Sequence, residues 1–255
     1  MMIAETLTLI RVDLLKLWRR RGLMAIALLI AVGAVGVFFA VNAVRHGTNP
    51  LHIGPAGGIK NFENATDFLG TLAVVVAAMI GVTAGAGDAE LGVSRDLVAT
   101  GRSRVALFAS RAVAAVVITV ALLAAALVVV TVCSVALAGS AHVPSVSEVV
   151  QRDAAVLAFG ASAALVCAGI ATFARSRGPV MASVIAFGVL ISQLLVHISF
   201  LGSLRAVLPL AAFQRMAGDA ITRLHFSLPV AIAVLAAWAA AAVAAGGWWA
   251  QRVEV

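Results

Sequence analysis

The chain is 255 residues long, 63% hydrophobic and only 11% charged, with a mean hydropathy of +1.10. A soluble domain needs about 25% charged residues to clothe its surface, so that class is excluded. The formal net charge is +7, yet the arginines stand at the ends of apolar stretches rather than on one face with interleaved aromatics; this excludes a nucleic-acid surface and leaves membrane topology and anionic headgroups as the cause of the basicity.

Six apolar stretches divide the chain: Gly22–Val44, Asp67–Gly87, Phe108–Ala138, Asp153–Ala174, Val180–Leu201 and Leu228–Trp249. Each approaches or exceeds the ~20 residues that cross a bilayer as a helix. The predicted fold is therefore all-α and integral to the membrane, with residues 1–255 forming one domain of six transmembrane helices. Counting basic residues by alternate loops puts Arg11, Lys16, Arg19, Arg20, Arg21, Arg95, Arg102, Arg104, Arg111, Arg175, Arg177 and Arg252 on the side of the N-terminus. Only Arg45, Lys60, Arg152, Arg205, Arg215 and Arg223 fall on the other, a bias of twelve to six. Basic loops stay inside, so both termini are expected to face the cytoplasm of a cell membrane.

Residues 1–21 precede the first span. Ile3, Leu7, Ile10, Leu14, Leu17 and Trp18 recur at helical spacing opposite Glu5, Lys16 and Arg19, which predicts an amphipathic helix at the membrane interface. Lys16, Trp18, Arg19, Arg20 and Arg21 have the chemistry of an interfacial belt. An anchor on the membrane surface and a docking surface for a cytoplasmic partner both fit this helix. The first apolar run exceeds the ~7–15 residues of a signal-peptide core and lacks an A-x-A-like site, so it is expected to be retained.

The loop 45–66 carries Asn49-Pro50, Gly54-Pro55 and Gly57-Gly58, the punctuation of an external linker. Its Asn64-Ala65-Thr66 triplet matters for glycosylation only in a secretory compartment, and the Ala-, Val- and Arg-rich composition with two Lys points to a bacterial chain. Cys133 and Cys167 lie apart inside apolar spans and read as small hydrophobes, and no metal site is predicted. Residues 175–179, Arg-Ser-Arg-Gly-Pro, form a tight basic turn that makes spans four and five a helical hairpin. Residues 202–227 are too polar to span and too apolar for a free loop, which predicts an external segment with short re-entrant or interfacial helices. In the last span, Gly246-Gly247 before Trp248-Trp249 suits close helix packing and an interfacial stop.

The longest cytoplasmic insertion, 88–107, is charged yet has its own apolar positions at Leu91, Leu97 and Val98, the make-up of a segment that binds something. Glu90-x-Gly92 is followed after eight residues by Gly101-x-Ser103-Arg104, and then by Arg111. In this pattern, with its six spans, internal termini, amphipathic N-terminal helix and Leu208-Pro209-Leu210-Ala211 before the last span, the chain resembles the permease subunits of type-2 ATP-binding-cassette exporters. It departs from that family's pattern at Val93, Gly101 and Arg111, where Thr, Pro and Lys are common.

The resemblance implies that the first cytoplasmic loop forms a coupling helix seated in a groove of a nucleotide-binding subunit, with the N-terminal helix beside it. Asp88, Glu90, Gly92, Arg95, Asp96, Gly101, Arg102, Ser103, Arg104 and Arg111 would then transmit ATP-driven closure to the spans. A loop that merely enforces topology is the plain alternative. ATP hydrolysis needs a Gly-rich phosphate loop ending in Lys, and neither Lys16 nor Lys60 has one. The chain is thus expected to be no enzyme and to hold no cofactor. ATP and Mg would be bound by two copies of a cytoplasmic ATPase subunit, and a second permease would complete a homo- or heterodimer that exports an amphipathic or lipid-like substrate.

Charges are nearly absent from the span centres, which argues against a proton- or sodium-coupled carrier. Gln193 and His197 share a face of the fifth span and are expected to hold it to another helix by a hydrogen bond, with substrate contact as the alternative. By resemblance, Thr71, Met79, Thr83, Ser183 and Phe187, with Gln193 and His197, would line a path along spans two and five. Two further readings remain: a channel or carrier without an ATPase, and an intramembrane serine protease built on Ser162 of Gly160-Ala161-Ser162-Ala163 with His197 as base.

Overall fold

The computed structural model describes residues 2–90, 103–174, 176–219 and 224–252, and the side chains of these apart from 2–6 and 88–90. Among the described residues every regular element is helical. An N-terminal helix, α1 (Met2–Trp18), leads into six helices long and apolar enough to cross a membrane: α2 (Arg21–Thr48), α3 (Ile59–Glu90), α4 (Arg104–Ala136), α5 (Val146–Ala171), α6 (Arg177–His197) and α8 (Leu228–Arg252). Between α6 and α8 come a 3₁₀ segment, Ser199–Val207, and a short helix, α7 (Pro209–Ala217). The expected all-α membrane fold, with an N-terminal helix and short helices before the last span, is what the chain adopts.

The helices outrun the apolar windows because polar first turns continue a helix past the hydrocarbon. Ser145 caps α5 reciprocally, its Oγ accepting from Glu148 N at 3.3 Å while its own N–H donates to Glu148 Oε2 at 2.7 Å, so the helix starts seven residues before Asp153. Ser103 caps α4, its Oγ accepting from Ala106 N at 3.1 Å. At its far end α6 stops at His197 rather than Leu201. There the buried Arg205 donates to the Val196 carbonyl at 3.0 Å and to the Gly202 carbonyl at 3.1 Å, satisfying a last-turn acceptor.

The core is α3, with 78% of its most apolar stretch buried against 11% for α6 and for α8, which leaves those two helices largely on the periphery. Lipid is as apolar as leucine, so close backbone approach rather than the hydrophobic effect holds membrane helices together. Gly81 and Gly85 supply that approach. A methyl on Gly81 would sit 2.7 Å from the Ala164 carbonyl oxygen of α5, and one on Gly85 would sit 2.8 Å from Ala171 Cβ.

The loops at the end away from α1 are welded by backbone. The N–H groups of Gly57, Gly58 and Ile59 donate to the carbonyls of Leu137, Ser134 and His142 at 2.7–2.8 Å, so unpaired donors opening α3 meet unpaired acceptors closing α4. Gly58 adopts φ +83, a left-handed conformation that favours glycine. At the same end α7 packs inward against α5 and α8. Phe213 stacks on Phe159 of α5 at 5.1 Å, and Leu210, Ala211, Ala212 and Ala217 are buried with it.

Candidate functional site

Two regions gather the residues singled out by sequence. The first is the end of the bundle that holds α1. This helix packs on α4, with Leu17 buried and Ile10, Asp13 and Leu14 turned toward the protein, while Leu7 and Trp18 are 61% and 65% exposed. Its apolar stripe is thus shared between protein and surroundings. The Ser110 hydroxyl donates to Asp13 Oδ2 at 2.6 Å, a charge-assisted bond joining α1 to α4.

Lys16, Arg20, Thr83 and Arg111 line one small crevice beside that bond, so α1, the end of α3 and the start of α4 converge. Residues 91–102, which join the end of α3 to the Ser103 cap of α4, lie outside the described residues. Of the predicted coupling residues, Ser103, Arg104 and Arg111 are in or beside the first turns of α4. Gly92, Arg95, Asp96, Gly101 and Arg102, and the side chains of Asp88 and Glu90, lie outside the described residues. Of the predicted interfacial residues, Arg19 is exposed and Arg21 opens α2.

The second region is a cavity of about 540 Å³ between α5 and α6. Phe159, Ser162, Ala163, Val166, Cys167 and Ile170 recur along one face of α5, opposite Pro179, Val180, Ser183, Val184, Phe187, Gly188 and Ser192 of α6. Val74, Trp238 and the start of α7 (Pro209, Leu210) complete it. A turn of π-helix at Ala186–Ile191 interrupts α6 within this lining, which Gly188 and Ser192 join.

Ser183 and Phe187, expected on a path, line this cavity, whereas the others do not. Met79 is buried in the core, Thr83 lies in the crevice beside α1, and Thr71 donates to the Asp67 carbonyl one turn back at 3.3 Å. The expected tie between α6 and another helix through Gln193 and His197 takes a different form. His197 is exposed and its Nδ1 meets the Gln193 carbonyl at 2.8 Å, inside the same helix, because at the last turn the ring folds back onto a carbonyl four residues earlier. Ser162 donates to the Leu235 carbonyl of α8 at 3.0 Å. The hydroxyl and the imidazole of the protease reading are therefore each engaged with backbone elsewhere.

Sequence reasoning counted Arg152 only as a topology marker. It is 7% exposed, and its guanidinium reaches Asp219 at 2.6 Å, Asp67 at 3.0 Å, Thr66 Oγ1 at 3.4 Å and Glu63 at 3.5 Å. The bonds join α3, α5 and the end of α7. Gln151 adds a bond to the Met216 carbonyl at 3.1 Å, and Arg215 donates to the Phe226 carbonyl at 2.7 Å. A sequence signal existed for three of them: Glu63, Asp67 and Arg152 fall at or near the margins of apolar stretches on one side, where a charge in the membrane margin needs a partner, whereas Asp219 lies within the 202–227 segment.

No protein-family model and no curated protein matches the chain.

Proposed function

We propose that this chain is the membrane-spanning permease subunit of a type-2 ATP-binding-cassette transporter, exporting an amphipathic or lipid-like substrate with energy from a separate ATPase subunit. The observation that carries the reading is the junction of α1 with α3 and α4 through Asp13, Ser110 and the Lys16–Arg111 crevice. Movement imposed on the segment 91–102 would pass directly into α3, the most buried span, and α4. A loop that only set topology would need no helix bonded to α4 beside it. In this reading Asp88, Glu90, Arg95, Asp96, Arg102 and Arg104 meet the ATPase, two ATPase copies serve two permeases, and the exposed sides of α2, α6 and α8 face lipid or the second permease. The apolar cavity, with serines as its polar groups, supports a substrate dominated by hydrocarbon.

Both termini and the 88–107 loop are then cytoplasmic. Purification of the tagged chain from its native membrane should bring down a nucleotide-binding subunit whose ATP hydrolysis is lost when Asp96 and Arg104 are reversed together. Recovery of the intact chain with no ATPase would sink the proposal in favour of a stand-alone channel or carrier. For the topology, Ser103→Cys and Leu51→Cys should label from opposite sides of intact cells, since Leu51 is 92% exposed in the loop between α2 and α3. Equal labelling would overturn the orientation.

A further inference from the structure

We propose that the cavity between α5 and α6 is a binding site for the extended acyl chain of a membrane lipid, which enters it sideways from the bilayer. Its shape is long rather than round. From Pro179 to Ser192 the lining follows α6 for roughly 20 Å at 1.5 Å per residue. That is more than half of the ~30 Å hydrocarbon core, and it runs along the helices as bilayer chains do.

The chemistry selects the same ligand. Among the described residues no charged side chain lines the cavity, and of its serines Ser162 spends its hydroxyl on the Leu235 carbonyl at 3.0 Å. A peptide, a sugar or a headgroup would leave most of its own polar groups unpaired there, which transfer to hydrocarbon penalises heavily. A polymethylene chain brings no such groups, and it restores the dispersion contacts that an empty cavity of about 540 Å³ would forfeit.

The exposed part of the lining is mostly apolar. Of the lining residues Ile170, Phe187 and Trp238 are 42%, 41% and 37% exposed, all on transmembrane helices and all apolar in bulk, with exposed Pro179 and Ser183 beside them. The rear is a fitted wall. Gly188 lets α6 approach Val74 of α3 so closely that an added methyl would collide with that side chain. Pro209 and Leu210, the first residues of α7, close the lining, and the Phe213–Phe159 stack keeps this helix seated. The inference does not depend on an ATPase partner, because it rests on the spans alone.

The test is photolabelling of the full chain in nanodiscs of phosphatidylcholine bearing a mid-chain diazirine, read by peptide mass spectrometry. Label should concentrate on 162–170 and 180–188 relative to Val128 and Val132, which lie on the lipid-exposed side of α4 at 62% and 59% exposure. Ala163→Phe and Val166→Phe, each filling the cavity from α5, should cut labelling there about tenfold, the loss that ~1.4 kcal/mol represents. Labelling at Val128 and Val132 should persist in both. Uniform labelling of cavity and α4 face in the wild-type chain would overturn the site. So would insensitivity to a filler variant that inserts normally, or linkage of cavity peptides to a second copy of the chain in place of lipid. Should both fillers fail to insert, the wild-type distribution alone decides.

Discussion

Arg152 of α5 and Asp219, 67 residues later, meet at 2.6 Å and pin the end of α7 to the bundle. The same guanidinium also serves Asp67 and Glu63 of α3, so one buried cation stands among three carboxylates. Removing it by Arg152→Leu leaves those carboxylates facing one another without a counter-charge and should cost about 2–4 kcal/mol, below the scale of a fully buried ion pair because Glu63 and Asp67 are 43% and 45% exposed. Asp219→Asn should cost less, about 1–3 kcal/mol, because Asp67 and Glu63 remain to pair the arginine. Thermal unfolding of the two variants in the same detergent gives the order. Equal stability of Arg152→Leu and wild type would show that the cluster is solvated rather than structural.

At the opposite end, Ser110→Ala removes the 2.6 Å donor from Asp13. The expected penalty, about 1–3 kcal/mol, falls on the docking of α1 and not on the six spans. A spin label at Leu7→Cys, a position 61% exposed, should gain mobility in the Ser110→Ala background while the melting of the spans changes little. Unchanged mobility would mean that apolar packing around Leu17 holds α1 by itself.

The α3–α5 contact makes a third prediction. Gly81→Ala places a methyl 2.7 Å from the Ala164 carbonyl oxygen and 2.8 Å from Cys167 Cβ, atoms belonging to the packed helix rather than to a flexible side-chain end. It should destabilise by about 1–3 kcal/mol, as overpacking does. Gly36→Ala meets nothing within 4 Å and should be neutral or stabilising by up to about 1 kcal/mol through reduced freedom of the unfolded chain. Parallel thermal scans check the pair, and equal effects would refute close approach of α3 and α5.

The sequence by itself determined the class, the number of spans and the presence of short helices before the last one. These follow from local physics: an unbroken apolar run leaves the backbone no partner but itself, so it must be helical wherever it crosses lipid. The helix ends were less legible, because the first turns of α3 and α5 lie outside the apolar run. At α5 the cue was the Ser145–Glu148 box, a short polar pattern that hydropathy alone passes over.

Only the tertiary structure decided which polar residues act together. Glu63, Asp67, Arg152 and Asp219 are scattered over more than 150 residues, and nothing in their spacing says that α7 folds back to deliver Asp219 to Arg152. The cavity was hidden for the same reason. Ser183 and Phe187 read as one face of a span, but that face becomes a site only where a π-turn in α6, Gly188 against Val74 and the start of α7 leave a gap beside α5. Hydropathy is a property of each residue and sums along the chain, whereas pairing and voids depend on distances between helices, which are set by packing.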